Sequence, residues 1–234
     1  VVELLMFTFF QARGQRDNKE TDIRRRDGGL ETEEGGGVGR TVKMAPSASS
    51  PPRFQPAELE QRVMCEGAAS RLREYRRLLP SGDLAGDLRD RFWDAVVLTA
   101  ANASQASVYV AQLDALHARG QLPGERSRYI VIADPVGPRV GSGGATINVM
   151  LHLQAMVGDA WRANRVLLIH AGGYSERSPA HGTLGKAFGQ LPMDAADLGV
   201  PATILEVQLV YYLELPSTLP PGIFVSSADV VLQF

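Results

Sequence analysis

Short apolar runs alternate with helix-length segments from residue 91 onward. The runs have the length and composition of buried strands, and the segments between them have the length of helices. Strands are predicted at 95–100, 128–134, 165–171 and 222–229, and helices at 105–120, 145–157 and 202–215. Short apolar strands that alternate with helices are typical of a parallel sheet covered on both faces. The pattern therefore predicts an α/β domain with a mostly parallel sheet and flanking helices.

A further helix is predicted ahead of this alternation. Pro56 suits a first-turn position, and apolar residues then recur at near-3.6 spacing until about Leu79. The opposite face carries four arginines, for which a solvated surface is favoured over phosphate binding. These are Arg71, Arg73, Arg76 and Arg77. Because "PSGDLAGD" ends the helix, we take 56–90 as a helical N-terminal segment and 91–234 as the main domain.

The residues before this helix have no periodic apolar face. The first run, "VVELLMFTFF", contains Glu3 and is too short to span a bilayer, and the stretch up to residue 43 is rich in charge and glycine. Such a segment buries too little apolar surface to offset its ordering entropy, so 1–55 is predicted to be a disordered extension. Met44 opens a segment typical of a natural start, and we expect 1–43 to come from upstream translation or an extended gene prediction.

Composition narrows the classes of partner. The chain has 234 residues, 44% of them hydrophobic, and a formal net charge of −2, so no overall field favours nucleic acid or an anionic membrane. The single cysteine, Cys65, excludes an intrachain disulfide and a cysteine-based zinc site, and it suits a reducing cytosol. We expect Cys65 to be a half-buried helix residue and the protein to be cytoplasmic, without nucleic-acid or membrane partners.

A glycine-rich segment with one arginine follows the second predicted strand. In parallel sheets, ligands bind beyond the carboxyl ends of the strands. Here the chain reads "DPVGPRVGSGGAT" (134–146): Gly141, Gly143 and Gly144 allow close backbone approach, the next helix N-terminus favours an anion, and Arg139 adds positive charge. These features favour phosphate contact, and a tight turn that needs glycine only for its geometry is the alternative. The spacing is neither a Walker loop nor a G-x-G-x-x-G motif.

The third predicted strand leads into the loop "HAGGYSERSPAHGTLGK" (170–186). Gly172 and Gly173 would let the backbone approach a nucleotide closely. Arg177 would clamp phosphate oxygens with its planar fork, and Lys186 would supply a point charge to another phosphate. Such a loop suits phosphoryl or nucleotidyl transfer, which positioning and charge neutralisation accelerate without a protein nucleophile.

The remaining candidates lie close to these loops. Asp229 ends the fourth strand, where its carboxylate would hold Mg²⁺ between phosphate oxygens, and an N-cap or turn role is equally open. Tyr174 and Ser175 are candidates for lining the nucleotide pocket. His170 either touches the base or sugar or packs the strand end, and the spacing of the four histidines indicates no metal site.

Together these motifs resemble a known enzyme family. "DPVGPRVGSGGAT", "LLIHAGGYSERSP" with "LGKAF", and "PGIFVSSAD" are similar, in this order, to motifs of the fucose-1-phosphate guanylyltransferases, also called GDP-L-fucose pyrophosphorylases. The same domain occurs in bifunctional fucokinase/GDP-fucose pyrophosphorylases. The resemblance covers about 91–234 and implies a Rossmann-like fold of the nucleotidyltransferase, GT-A-like kind.

The resemblance also implies a reaction. L-fucose 1-phosphate would attack the α-phosphate of GTP, giving GDP-L-fucose and pyrophosphate, with Mg²⁺ as the cofactor. By position in the motif, Gly172 and Gly173 would contact the nucleotide. Arg177 would stabilise the departing pyrophosphate, and Lys186 would sit on the phosphates around the reacting centre.

The chain departs from the wider family of sugar-1-phosphate nucleotidyltransferases in three respects. Gly185 stands where that family has a proline directly before the lysine, and Val230 follows Asp229 where a second acidic residue is frequent. The family is also longer, with a C-terminal left-handed β-helix and a sugar-binding half that are absent here. We therefore expect a truncated form that keeps much of the nucleotide site and has impaired or no turnover by itself.

Alternatives from other classes remain open on the residues alone. One is a sugar kinase that uses "GSGGAT" as an ATP loop, although the catalytic aspartate and second glycine motif of such kinases are not visible. Another is a fragment that binds a nucleotide without catalysis. A Rossmann oxidoreductase is a weaker alternative, because neither glycine loop has dinucleotide-binding spacing. The base preference and the oligomeric state stay open.

Overall fold

Two stretches of the chain, 56–173 and 184–230, are described by a computed structural model, with side chains from residue 64 onward. The residues from Glu60 onward belong to one compact unit. The described helices are α1 (Pro56–Leu78), α2 (Ala103–Ala118), α3 (Gly141–Val157), α4 (Ile204–Tyr211) and α5 (Leu215–Thr218). The described strands are β1 (Ala95–Ala100), β2 (Tyr129–Ala133), β3 (Arg165–His170), β4 (Gln190–Leu191), β5 (Ala202–Thr203) and β6 (Gly222–Ser227). The extension predicted at 1–55 lies outside the described residues.

Four of the strands form a parallel sheet in the order β2-β1-β3-β6. The register sets Ala100 of β1 opposite Ala133 of β2, and His170 of β3 opposite Ser227 of β6. Because every pair is parallel, the carboxyl ends of all four strands lie at one edge of the sheet. The predicted Rossmann-like α/β fold is confirmed.

Helices cover both faces of this sheet. Successive strand side chains point to opposite faces, so Val96 and Leu98 of β1 enter one core while Val97 enters the other. The first core also takes residues of α1, α2 and α4, among them Tyr75, Tyr109 and Leu209. The second core takes Val149 and Leu153 of α3 together with Trp161. The sheet is therefore buried on both faces, as its continuously apolar strands require.

The helix after β2 begins at Gly141 and not at residue 145 as predicted. Glycine lowers the helix propensity of "GSGG", so the sequence of this segment favours a loop. Packing of α3 against the sheet through Val149 and Leu153 outweighs this weak local preference. The glycines predicted to form a loop before the helix thus form its first turn.

The segment predicted as a helix over 202–215 has a more divided structure. Ala202–Thr203 pair antiparallel with Gln190–Leu191, and α4 follows. Its start is fixed by a capping box: Thr203 Oγ1 accepts a hydrogen bond from Glu206 N at 3.3 Å, and Glu206 Oε2 accepts one from Thr203 N at 2.7 Å. The helix ends at Tyr211, before the short α5.

The arginine face of α1 differs from the predicted solvated surface. Arg76 donates to the backbone oxygens of Asp194 at 2.9 Å and Ala195 at 3.1 Å, and Arg71 lies 3.4 Å from the Glu214 carboxylate. The prediction is therefore wrong for Arg71 and Arg76, because these long side chains reach residues that are remote in sequence and tie α1 to them.

Two smaller expectations concern surface properties. Cys65 is exposed on α1, so the expectation of a half-buried cysteine is wrong. Its neighbours Met64 and Glu66 are exposed as well, which places this stretch of the helix away from the core. Among the described residues, no helix combines the length and the apolar character that crossing a membrane requires.

Candidate functional site

The carboxyl edge of the sheet brings together the candidate residues that the sequence places at the ends of three strands. Asp134 follows β2, Gly172 follows β3 and Asp229 follows β6, and the parallel register sets these positions nearly level. Gly143, in the first turn of α3, belongs to the same edge because α3 starts just beyond β2. Both predicted glycine segments therefore lie at one edge, where ligands of open α/β sheets bind.

The glycines of the first turn of α3 differ in what the fold demands of them. Gly141 has a φ of +67°, in the left-handed region that favours glycine. A Cβ at Gly144 would lie 2.6 Å from Cβ of Val140, so packing excludes a side chain there. A Cβ at Gly143 would meet nothing within 4 Å. Nothing in the described structure requires glycine at position 143, which leaves close approach of a ligand as a reason for it.

The N-terminus of α3 has no side chain that caps its backbone N–H groups. Its N-cap residue, Val140, supplies no side-chain hydrogen bond, so the first backbone N–H groups of this 17-residue helix point outward unpaired by a cap. Arg139 directly precedes it, is exposed, and makes no hydrogen bond or ion pair with another described residue. Free N–H groups at the positive end of a helix, beside an uncommitted guanidinium, form an environment that attracts an anion.

The turn after β3 is held by backbone and side-chain contacts. A Cβ at Gly172 would lie 3.0 Å from the backbone nitrogen of Ala101, so the turn packs directly onto the end of β1. The buried Thr99 hydroxyl accepts hydrogen bonds from Ala171 N at 3.2 Å and Gly172 N at 3.3 Å. Gly173 has a φ of +100°, a conformation that only glycine adopts readily. Gly172 is thus required by close packing and Gly173 by backbone geometry.

A polar cluster connects α3 to the end of β3. Thr146 Oγ1 lies 3.0 Å from His170 Nε2, which ties the second turn of α3 to the last residue of the strand. Asp134 is near His170, and its buried Oδ1 has no hydrogen-bond partner among the described residues. Burial raises the pKa of Asp134 and lowers the pKa of His170, and the attraction between the two opposes both shifts. His170 therefore joins the two glycine segments.

Lys186 and Asp229, which the sequence assigns to phosphate and to Mg²⁺, are paired with each other. Lys186 Nζ lies 3.2 Å from Asp229 Oδ2, and the second carboxylate oxygen accepts a hydrogen bond from the Ser227 hydroxyl. The hydrogen bond from Ser227 and the charge of Lys186 lower the pKa of Asp229, so its carboxylate is ionised at neutral pH. The pair is partly exposed and links the turn at Lys186 to the end of β6.

The structure explains why glycine precedes Lys186. Gly185 has a φ of +86°, whereas proline fixes φ near −65°. A Cβ at Gly185 would collide with the ring of the fully buried Tyr109. Proline at this position is incompatible with the backbone, and any side chain is incompatible with the packing.

The fit of a magnesium ion rests on Asp229. Magnesium in nucleotide enzymes is held by one or two carboxylates together with substrate phosphates and waters. An ionised, half-exposed carboxylate at the edge of the glycine segments fits that mode. Within 56–173 and 184–230, no group of three or more His, Cys, Asp or Glu side chains could hold a metal by itself. A metal at Asp229 would take further ligands, which substrate phosphates and waters can supply.

A cavity of about 560 Å³ lies at the opposite edge of the sheet. Its lining includes Asp94, which precedes β1, and Arg128, which precedes β2, together with Leu78 and Arg89. The carboxyl edge, where the glycine segments lie, is therefore separate from this cavity.

Three predicted site residues lie outside the described residues. They are Tyr174, Ser175 and Arg177. Their roles remain predictions from the sequence.

Three other residues at this edge carry only weak signals in the sequence. Asp134 is the last residue of a predicted strand, as Asp229 is, and that position is the signal that could have identified it. Gln105 stands three residues after Asn102, whose side chain caps α2 by accepting from Gln105 N, so the pair is typical of a helix start. Thr146 is indistinguishable from other polar residues of α3 until the helix is placed beside His170.

Comparison with known proteins identifies a family model that matches the part of the chain containing several of these residues. Residues 158–234 match the family model of the fucose pyrophosphorylase domain, a range that contains Gly172, Gly173, Lys186 and Asp229. No solved structure matches the chain significantly.

Similar proteins include two guanylyltransferases. The chain is 38% identical over 165 residues to fucose-1-phosphate guanylyltransferase of Mus musculus, covering 70% of this chain and 26% of that protein. It is 40% identical over 157 residues to the Homo sapiens protein of the same name, covering 66% of this chain and 25% of that protein. A bifunctional fucokinase/GDP-fucose pyrophosphorylase of Arabidopsis thaliana is 36% identical over 125 residues, 45% of this chain and 12% of that protein. The resemblance inferred from the motifs is confirmed, and the chain spans about a quarter of the two guanylyltransferases.

Proposed function

We propose that this chain carries the nucleotide-binding part of a fucose-1-phosphate guanylyltransferase. In the reaction of such an enzyme, a phosphate oxygen of L-fucose 1-phosphate forms a bond to the α-phosphorus of GTP. The bond between the α-phosphorus and the oxygen that bridges it to the β-phosphate breaks. The products are GDP-L-fucose and pyrophosphate. The observation that carries the proposal is the convergence of both glycine segments on one edge of the sheet, where Thr146 of α3 contacts His170 at the end of β3.

The described residues supply the positive charge and the open backbone that a triphosphate needs. The uncapped N-terminus of α3, with Gly143 and Arg139, would receive part of the phosphate chain. Lys186 would exchange its partner Asp229 for a phosphate oxygen, because both interactions are available to one ammonium group at this exposed edge. Nucleotidyl transfer depends mainly on such positioning and charge stabilisation.

Two predicted groups complete the proposal. Mg²⁺ held by Asp229 would neutralise charge on the phosphates of the nucleotide. Arg177 would stabilise the departing pyrophosphate with its planar fork. The names of the guanylyltransferase relatives support GTP and L-fucose 1-phosphate as the substrates. The protein is proposed to work in the cytoplasm.

Binding and turnover are measured separately, because the chain spans only about a quarter of the two guanylyltransferases. Calorimetric titration of the chain with GTP, ATP and UTP tests the nucleotide site and its base preference. Incubation with GTP and L-fucose 1-phosphate then tests synthesis. Release of pyrophosphate with GDP-L-fucose supports the transferase, and GTP binding without product supports the binding-fragment alternative. A separate incubation with ATP and free L-fucose tests the sugar kinase, which release of ADP together with phosphorylation of the sugar would support.

Arg177 gives the sharpest test of the catalytic assignment. Arg177→Ala is expected to reduce synthesis in a full-length protein by roughly a hundredfold or more, the loss typical of a transition-state charge donor. Arg177→Lys should recover little, since an ammonium cannot reproduce the bidentate contact. Arg162, which pairs with Asp159 on an exposed turn, provides the matched control, and Arg162→Ala should leave synthesis unchanged. Normal turnover by Arg177→Ala would contradict the assignment.

A further inference from the structure

One face of α2 carries three polar side chains that all contact the chain beyond β3. Gln105, Tyr109 and Gln112 have i, i+4, i+7 spacing, which places them on the same side of the helix. Each donates a hydrogen bond to a backbone oxygen: Gln105 Nε2 to Gly173 at 3.2 Å, the Tyr109 hydroxyl to Ala171 at 2.8 Å, and Gln112 Nε2 to Leu184 at 2.7 Å. One helix face therefore contacts both the turn at Gly172–Gly173 and the turn at Gly185–Lys186.

Gln105 uses both ends of its side-chain amide. While Nε2 donates to Gly173 O, Oε1 accepts from Ala101 N at 2.7 Å and from Gly173 N at 3.4 Å. Both backbone groups of Gly173 are thus paired with one side chain, as they would be with a neighbouring strand. Only a side chain that donates and accepts at once can make this contact.

Tyr109 connects the two turns through its ring. Its hydroxyl reaches Ala171, and the ring blocks any side chain at Gly185 and packs against Phe188 with ring centroids 5.2 Å apart. The ring is fully buried, so its position is fixed by packing. A shift of α2 would consequently move the two turns together.

We propose that the α2 face formed by Gln105, Tyr109 and Gln112 positions both turns of the nucleotide site, and that its hydrogen bonds set the affinity for the nucleoside triphosphate. This inference rests on the proposed function. Binding groups that are already ordered in the free protein lose less conformational freedom when the ligand arrives. None of the three side chains is assigned a contact with the nucleotide, so they are positioning residues.

Gln105→Glu tests the donor requirement directly. A carboxylate keeps the acceptor for Ala101 N but opposes the oxygen of Gly173, whereas a protonated carboxyl group restores a donor. We expect GTP affinity to fall about tenfold near pH 8, the usual loss when a partner is left unsatisfied, and to recover relative to the wild type near pH 4, where a glutamate carboxyl group of ordinary pKa is mostly protonated. A loss of affinity that is the same at both pH values, or no loss at either, would overturn the proposal.

Gln154→Glu is the matched control on α3. Gln154 accepts a hydrogen bond from Trp161 Nε1 through Oε1, and glutamate preserves that bond. This variant should bind GTP like the wild type at both pH values. An equal pH-dependent loss in Gln154→Glu would mean that any added carboxylate weakens binding, and it would also overturn the proposal.

Amide hydrogen exchange without nucleotide separates this inference from the proposed function. Gln105→Met and Gln112→Met are expected to accelerate exchange at 171–173 and at 184–188 respectively, while exchange in β1 stays unchanged. Unchanged exchange at both turns would overturn the positioning role. A wild-type chain that binds no GTP would instead contradict the proposed function. In that case, hydrogen exchange by itself would still test whether α2 positions the two turns.

Discussion

Lys186 Nζ lies 3.2 Å from Asp229 Oδ2, so the ammonium proposed to bind phosphate and the carboxylate proposed to bind Mg²⁺ form an ion pair with each other. Lys186 is the first residue of the 3-10 segment Lys186–Phe188, and Asp229 lies two residues after the end of β6. The opposite charges of the two side chains therefore compensate each other at this edge. Each partner must loosen its contact with the other to bind phosphate or metal.

This pairing predicts opposite effects of one substitution with and without Mg²⁺. Without the metal, Asp229→Asn should strengthen GTP binding by up to about fivefold, because it releases Lys186 from an exposed pair worth no more than about 1 kcal/mol. With Mg²⁺ present, the same variant should weaken binding, since it lacks the carboxylate for the ion. Calorimetry in EDTA and in magnesium buffer measures both. The same direction of change in the two buffers would contradict a metal role for Asp229.

Gly185 provides a stability prediction with a built-in comparison. Gly120, just after α2, has a φ of +72° and open space where a Cβ would lie, whereas Gly185 has a φ of +86° and the ring of Tyr109 beside it. Gly120→Ala should therefore lower the free energy of unfolding by about 1–2 kcal/mol through backbone strain alone. Gly185→Ala should cost a further roughly 1–3 kcal/mol for overpacking. Urea denaturation of both variants measures the difference.

A double-mutant cycle checks the cause of that difference. In a Tyr109→Leu background the ring is gone, and Gly185→Ala should cost no more than Gly120→Ala does. An undiminished cost in that background would mean that the Tyr109 contact does not restrict position 185.

Glu206 predicts a pH dependence of folding. It is fully buried, and although its carboxylate accepts hydrogen bonds from Thr203 and Gln121, burial raises its pKa above the ordinary value of 4.5. A carboxyl group with a raised pKa in the folded state binds protons more tightly there than in the unfolded state. Its contribution to the free energy of unfolding is therefore greatest at low pH and decreases as pH rises from about 4.5 through the folded-state pKa.

Glu206→Gln removes this dependence and keeps the shape of the side chain. The free energy of unfolding of the wild type, relative to that of Glu206→Gln, should decrease as pH rises from the acidic range to neutrality. Urea titrations of both proteins over this range measure it. A difference that is constant with pH would indicate that the pKa of Glu206 is the same in the folded and unfolded states.

The sequence predicts the long parallel strands well and the short strand pairing poorly. The four parallel strands are recognisable because each is a continuous apolar run, and β1 extends over the predicted 95–100. The short strand Ala202–Thr203 has no pattern of its own and depends on pairing with Gln190–Leu191, which folding alone brings near.

The candidate site likewise contains some residues that the sequence identifies and others that it does not. Gly172, Gly173, Lys186 and Asp229 are identifiable because their residue types are unusual after strands. Gln105 and Thr146 are ordinary helix residues by sequence, and their roles follow from the approach of α2 and α3 to the end of β3. Contacts between remote elements have no local periodicity, so no pattern in the sequence predicts them.

Two neighbouring glycines of α3 allow a test that separates ligand binding from folding. Gly144→Ala should destabilise the protein, because its methyl group would lie 2.6 Å from Cβ of Val140, whereas Gly143→Ala meets nothing within 4 Å. Gly143→Ala should keep or raise the free energy of unfolding, by up to about 1 kcal/mol, because alanine has the higher helix propensity. If phosphate approaches the backbone at Gly143, the same variant should bind GTP about tenfold more weakly, as expected when a close contact is blocked.

The two measurements must therefore diverge for Gly143→Ala, with stability retained and nucleotide affinity lost. Urea denaturation and GTP titration of one preparation give both values. An alanine at position 143 that leaves GTP affinity unchanged would exclude close phosphate contact at this turn. The phosphates would then have to be bound by the segment between Gly172 and Lys186, with α3 serving only to hold His170 through Thr146.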